Sequence, residues 1–369
     1  MRCQKAPIRL GWVCRRPGAR GQGLRTLPYG RVSASGFGPA PARGQAEQKG
    51  ELVRRVSGWV LGVTALAVFS ISALAGDTTA SRKEDVLWDK LGESIQAEDR
   101  ALDGVLGVLI VDLKTGRQWA YHADEVFPTA STIKLALLAE LYHQEQQARD
   151  GKPGNARLAD RYTVRGEDIV ADSAIMENLT PGVTMVTNRD LAGMVVAVSD
   201  NAATNVLIDR VTFSRVNQLL DSLGARETRL QRKMMDLKAA QEGRENIATP
   251  RQIGVLLESI FQGKLFGAEL TKDFFRLLTT TKDSWMPRLL PESVKIANKP
   301  GTLAGVRNDA GIVFVPERPF VLVVMTTYDN DERQAEDVIS RIARDAYRMF
   351  DLLSVSTEYG RQITEKNSH

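Results

Sequence analysis

The chain has 369 residues, 43% hydrophobic and 25% charged, a globular composition that excludes a wholly disordered chain, a collagen and a multi-span membrane protein. The net charge of +4 misleads: residues 1–75 hold 12 of the 49 Lys and Arg and only 2 of the 45 Asp and Glu, which leaves the body at −6. A nucleic-acid partner needs a basic face on the folded part, and nothing in the body suggests one.

Residues 1–52 are rich in Gly, Pro and Arg without an apolar period, and read as a leader that is disordered or foreign to the native product. Arg54 and Arg55 then precede an uncharged apolar run from Trp59 to Leu74, and Ala73-Leu74-Ala75 before Gly76 fits a small-x-small cleavage site. Residues 53–75 are therefore expected to be a secretory signal peptide, with translation starting near Val53 or Val56. An uncleaved N-terminal anchor is the alternative. The body, 76–369, is expected to be periplasmic or secreted. Both cysteines, Cys3 and Cys14, lie in the leader, so the body predicts no disulfide and no Cys-ligated metal.

Residues 83–100 predict a helix with Val86, Leu87, Leu91 and Ile95 on one face. Gly104 to Leu113 and Arg117 to His122 predict a hairpin that turns at Lys114-Thr115-Gly116. The spacing of Ile133, Leu137, Leu138 and Leu141 predicts a helix from Ser131 to Gln147. Residues 187–198 open with Thr187 and Asp190 at the spacing of a capping box. Asn201 to Val211 and Phe213 to Leu223 predict two more helices, the second stopped by Gly224. Residues 225–248 are polar and irregular, and Thr249-Pro250 starts another helix. Val294 to Ala297, Ala310 to Val315 and Phe320 to Thr327 read as strands, and a last helix runs from about Glu332 to Leu352. Strands at both ends with helices between them give an α+β fold: one sheet assembled from distant segments, a second helical lobe, and a cleft between the two.

The chemistry is first limited by what is missing. The histidines are His122, His143 and His369, none in a suggestive motif, and no H-E-x-x-H or phosphate-binding G-x-x-x-x-G-K occurs. A hydrolase with this sequence needs a base other than imidazole. Ser131-Thr132-Ile133-Lys134 supplies one, because i, i+3 spacing on a helix puts both side chains on one face. Amides at a helix start stabilise negative charge, and a lysine of lowered pKa takes a proton from the serine. Alone the tetrapeptide is common. Ser199-Asp200-Asn201 alone reads as a helix cap, and Lys299-Pro300-Gly301-Thr302 as a strand end.

Together, in this order and at separations of 68 and 100 residues, the three resemble the S-x-x-K, S-D-N and K-T-G motifs of the class A β-lactamase and penicillin-binding serine enzyme family. The surroundings, Ser199 to Asn205 and Gly305 to Asp309, resemble it too, and the likeness covers about 83–352. The resemblance implies a three-layer α/β/α fold: an antiparallel sheet flanked by the N- and C-terminal helices, plus an inserted all-helical lobe over about 131–290. It implies Ser131 as the acylated nucleophile, Lys134 as its proton acceptor, and Ser199 as donor to the leaving nitrogen. Asn201 would hold substrate and Lys134. Lys299 would attract the substrate carboxylate and lower the pKa of Lys134 by like-charge repulsion. Gly301 and Thr302 belong to the substrate-binding strand, with the amides of Ser131 and Thr302 as the oxyanion hole. Arg307 is a second carboxylate anchor or a plain strand arginine.

Two departures stand out. Pro300 replaces the hydroxyl residue of the third motif. Thr228 to Arg232 matches the start of the family's deacylating loop, but Met234 occupies the position of the glutamate and Lys238 that of the asparagine. Asp236 is the nearest carboxylate, either a substitute base or a loop-folding residue. The expected function is β-lactam opening through acyl-Ser131, that is, antibiotic hydrolysis. One rival is a penicillin-binding, peptidoglycan-peptidase-like or other acyl-serine hydrolase with slow deacylation. The other is a non-catalytic cell-wall-binding module. The substrate is expected to be a β-lactam or a peptidoglycan-like peptide. No metal or organic cofactor, no nucleic acid and no membrane contact beyond the signal or anchor is implied, and the body is expected to be a monomer.

Overall fold

The computed structural model describes residues 77–363, and residues 77–82 as backbone only. The leader, the apolar run, both cysteines and His369 lie outside these residues, with the expectations attached to them. The body is built on an antiparallel sheet of five strands: β1 (Val105–Asp112), β2 (Gln118–Tyr121), β7 (Lys295–Leu303), β8 (Val306–Phe314) and β9 (Phe320–Thr327). Their order across the sheet is β2-β1-β9-β8-β7, so β7 forms an edge. The first strand pairs with the last, Val105 opposite Thr327 and Asp112 opposite Phe320, which closes the sheet from distant segments.

Both faces of the sheet are covered, so β1 is buried almost continuously instead of alternating with solvent. Leu106, Val108 and Ile110 face α1 (Asp77–Ala101) and α9 (Glu332–Ser354). Leu109 and Val111 face α7 (Pro250–Phe261) and the second lobe. On α1 the buried face is Trp88, Leu91 and Ile95, while Val86 is half exposed, so the face is turned from the predicted one. Trp88 meets the ring of Phe350 edge-on at 5.6 Å, and Phe350 stacks on Phe320 at 4.2 Å, which ties both helices to β9.

The lobe contains α2 (Lys134–Arg149), α3 (Asn188–Ala197), α4 (Asn201–Val211), α5 (Phe213–Ser222), α6 (Leu237–Gln241) and α8 (Ala268–Leu278). No element is predicted above for α8, which buries Leu270, Phe274, Phe275, Leu277 and Leu278. The lobe also holds paired strands, β3 (Phe127–Pro128) with β6 (Ile247–Ala248) and β4 (Arg161–Thr163) with β5 (Met185–Thr187), so it is not all-helical. The capping box forms as its spacing predicts: the Thr187 side chain accepts from the Asp190 amide, and the Asp190 carboxylate accepts from the Thr187 amide. Helix α2 is buried on every side from Lys134 to Tyr142, wider than the stripe its apolar period suggests. It is the axis of the lobe and carries the lysine of the first motif into the interior.

The segment before α2 lies against β7. A β-carbon on Gly301 would stand 2.7 Å from the Thr129 carbonyl oxygen and 2.9 Å from the Thr132 amide nitrogen, so only glycine permits this approach. Gly301→Ala is expected to push strand and segment apart, lowering stability by about 2 kcal/mol and any acylation of Ser131 with it; thermal melting and labelling with a β-lactam check both.

Candidate active site

Ser131 stands in a single 3₁₀ turn, Ala130–Ile133, which runs directly into α2. The predicted α-helix therefore begins three residues later than expected. The cause lies upstream: Pro128 is held in β3, and Ala130 takes a left-handed φ of 49° to redirect the chain. Thr129 fixes this corner, its hydroxyl donating to the Asn246 carbonyl at 3.0 Å.

Ser199 stands in the turn between α3 and α4, also left-handed at φ 57°. Asp200 caps α4 by accepting from the Ala203 amide, and its other oxygen accepts from the amides of Ile175 and Met176. This fixes the turn and aims Ser199 and Asn201 at α2. The Lys134 amine lies 2.6 Å from the Ser199 carbonyl oxygen, 2.9 Å from Asn201 Oδ1 and 3.0 Å from Ser199 Oγ. From the opposite side Lys299 donates to Ser199 Oγ at 3.0 Å and to the Pro300 carbonyl at 2.9 Å. One hydroxyl thus bridges two buried amines. Ser131 Oγ makes no hydrogen bond among the described residues.

Ser131, Ser199, Asn201, Lys299, Pro300 and Thr302 line one cavity of about 370 Å³, with Asp172, Lys282, Asp283 and Trp285 also on its wall. The cavity brings the three sequence motifs together. Lys134 sits beneath it, fully buried. Neither described histidine lines it, and no three His, Cys, Asp or Glu side chains converge as metal ligands among the described residues.

Three expected site residues are elsewhere. Gly301 is a spacer between β7 and the Ser131 turn. Arg307 is buried, with its guanidinium engaged by Glu332 and, at 3.1 Å, by Glu336, and with the Leu303 and Val306 carbonyls accepting from its Nη1. It is not part of the cavity wall. Asp236 caps α6, accepting from the Ala239 amide at 3.0 Å, and is also absent from the wall. The loop position of the expected glutamate holds Met234, buried in the lobe core, its amide and carbonyl both bonded by the Asn205 side chain at 2.8 and 3.1 Å. The polar segment 225–248 is thereby a fastened loop, closed at its neck by Arg229 pairing with Ile247 and by the Arg232–Glu245 ion pair at 2.7 Å.

Burial holds the Lys134 amine well below the usual lysine range, and the Lys299 charge adds to this, while Asp200 and Asp172 oppose it. Desolvation contributes more to this lowering than the like charge. Lys299 is pushed down to about 7 by burial, against the pull of Asp309 and with help from Lys282. A neutral Lys134 has two N–H groups, which satisfy the Ser199 carbonyl and Asn201 Oδ1. Its lone pair is left for a hydroxyl. The arrangement can take a proton from an alcohol, pass one through Ser199, and attract an anion to Lys299.

These features fit a serine hydrolase site with buried amines and, among the described residues, no imidazole on its wall. The chain belongs to the β-lactamase enzyme family, whose family model matches residues 90–350. It is a β-lactamase-type serine hydrolase of class A kind. It is 32% identical over 254 residues to a β-lactamase of Streptomyces fradiae, covering 66% of this chain and 81% of that one. A crystal structure of a β-lactamase from Sphaerobacter thermophilus is 30% identical, covers 72% of this chain and 98% of its own, and superposes with a TM-score of 0.64. A mutant of PBP-A, solved as an acyl-enzyme complex with penicillin G, is 26% identical, covers 71% and 96% of the two chains, and has a TM-score of 0.62.

The unfolded chain keeps the Lys299 proton up to the ordinary 10.5, the folded chain only to about 7. Burying the charge weighs fully against folding below pH 7, and this cost shrinks as pH rises towards 10.5. Lys299→Met is therefore expected to melt above the native chain, by a margin that is widest near pH 7 and narrows towards pH 10; calorimetry across that range checks the sign. Acylation that uses a charged Lys299 is expected to weaken as pH rises through about 7, measured as a second-order rate.

Proposed function

We propose that the chain opens a cyclic amide of the β-lactam type through an ester on Ser131. The single observation that carries this reading is the Ser199 hydroxyl held between the Lys134 and Lys299 amines beside Ser131 in one cavity. Ser131 Oγ bonds to the carbonyl carbon, and its proton goes to the neutral Lys134. The developing oxyanion is met by the amides of Ser131 and Thr302. The C–N bond then breaks, the nitrogen takes the Ser199 proton, and Lys134 returns a proton to Ser199. Water adds to the ester carbonyl in the second half, releasing the acid and restoring the Ser131 hydroxyl. Lys299 and Thr302 hold the substrate anion and Asn201 its amide, while Asp236 is left to its helix cap.

Residues 53–75 act as the export signal of this reading, which places the body in the periplasm or medium as a monomer. Among the described residues no helix is long and apolar enough to cross a membrane.

A second reading, slow deacylation by a penicillin-binding or peptidase-like enzyme, is favoured by one observation: Met234, not a carboxylate, fills the loop position that activates water in the resembled family. Intact-mass spectrometry after a benzylpenicillin pulse and a chase separates the readings. Native chain is expected to gain one acyl group and Ser131→Ala none. Loss of the adduct within a turnover cycle supports the β-lactamase reading, and persistence supports the second. Native chain with neither an adduct nor consumption of benzylpenicillin rejects both and leaves a non-catalytic wall-binding module. Lys134→Ala is expected to slow acylation by about 100-fold or more, the scale of a lost general base, with the adduct still on Ser131.

A further inference from the structure

The cavity is short of the groups expected to hold a substrate anion. Pro300 has no hydroxyl, and Arg307 is spent on Glu332 and Glu336 outside the wall. A third amine, not part of any motif, fills the gap. Lys282 lies in the segment after α8 and lines the same cavity as Ser131, Lys299 and Thr302. Its amine donates to the Leu278 carbonyl at 2.7 Å and to Asn298 Oδ1 at 3.3 Å. An ammonium has three N–H groups, so one remains. Among the described residues no carboxylate oxygen lies within ion-pair distance of it; Asp283, next in the chain and on the same wall, faces Arg288 at 3.7 Å instead.

The segment is fixed in place. Asp309, fully buried, accepts from the amides of Trp285 and Met286 at 3.2 and 3.0 Å and from Asn298 Nδ2 at 2.7 Å. This ties the Lys282 loop to β7 and β8, next to Lys299. A half-buried ammonium whose opposing charge, Asp309, acts on it without an ion pair gains from a ligand that supplies an anion.

We propose that Lys282 is a substrate-binding residue, the second anchor for a carboxylate carried on the nitrogen side of the scissile amide, in place of Arg307. The inference rests on Ser131 acylation as described above. Burial lowers Lys282 to about 8, against the pull of Asp309, and Lys299 to about 7, so of these two Lys282 keeps its proton to the higher pH. The opposing view makes Lys282 a C-cap of α8, whose last carbonyl it meets.

The test compares acylation rates with benzylpenicillin, which carries the carboxylate, and with its methyl ester, which does not. Lys282→Met retains the aliphatic stem and removes the charge. The native preference for the carboxylate is expected to fall by about 10-fold or more in Lys282→Met, the scale of a lost charged hydrogen bond, and to be kept within about 3-fold in Lys282→Arg. A preference unchanged in a folded Lys282→Met, with only the melting temperature lowered, overturns the proposal and supports the cap. A parallel fall on both compounds also overturns it. Native chain acylated by neither compound overturns the Ser131 reading itself, and this inference with it.

Discussion

The site depends on taking ammonium groups out of water. Lys134 and Lys299 are each about 1% exposed or less, and Lys282 is half buried beside them. Water stabilises an ammonium strongly, so each lysine that loses it gives up its proton more readily. A sheet edge, a fully buried helix and a helix-to-helix turn must meet to produce this. Helix α2 has to be enclosed on every side, because a surface helix would leave Lys134 hydrated, charged and useless as a base. The completeness of the hydrophobic shell around α2 is in this sense part of the chemistry.

The same economy governs the acids. Asp200 and Asp309 are close enough to influence the lysines, yet their carboxylate oxygens are occupied: by the backbone amides of Ala203, Ile175 and Met176 for the first, and by the amides of Trp285 and Met286 and the Asn298 side chain for the second. They fix the turns that present Ser199 and Lys282 without forming ion pairs with Lys134, Lys282 or Lys299. A direct carboxylate partner would raise each amine towards its ordinary value and satisfy the charge that a substrate anion is meant to meet. The left-handed backbone at Ser199 fits the same pattern: an unfavourable conformation for a residue with a β-carbon, held by the capping bonds on either side of it.

Much of this is legible in the chain because local signals agree with the tertiary structure. Helix α4 and strand β9 have the predicted bounds, Asn201–Val211 and Phe320–Thr327, since Asp200 caps the first and Pro319 precedes the second. The three motifs converge as their resemblance implies. What sequence pattern does not convey is who takes each charge. Arg307 looks available in the sequence, but Glu332 and Glu336 are contributed by α9, a helix that meets it only through the sheet. Lys282 carries no motif and becomes part of the cavity only because Asp309 draws its segment to β7. The strand pairs β3–β6 and β4–β5 escape notice for another reason: two or three residues are too few for a period to show. Helix α8 does have a strong apolar face, and its spacing of Leu270, Phe274 and Leu277 is a signal that could have found it.

The fastened loop shows how shape and chemistry come apart. Asn246 binds the amides of Gln231 and Arg232 through its side-chain oxygen and the Arg232 carbonyl through its nitrogen, while Asn205 clasps Met234 by both backbone groups. Nothing in that scaffold requires an acidic side chain at position 234. The loop keeps its path through backbone bonds, and the methionine adds to the lobe core instead of facing a water. The groups of the proposed acylation step are intact: the Lys134 and Lys299 amines both lie within hydrogen-bond distance of the Ser199 hydroxyl. In the resembled family hydrolysis of the ester draws on a glutamate that this loop does not present at position 234, and the carboxylates on the cavity wall are instead Asp172 and Asp283. The loop thus retains the architecture of that segment at position 234 and not its carboxylate, because its path is set by backbone bonds and not by the side chain that performs the chemistry.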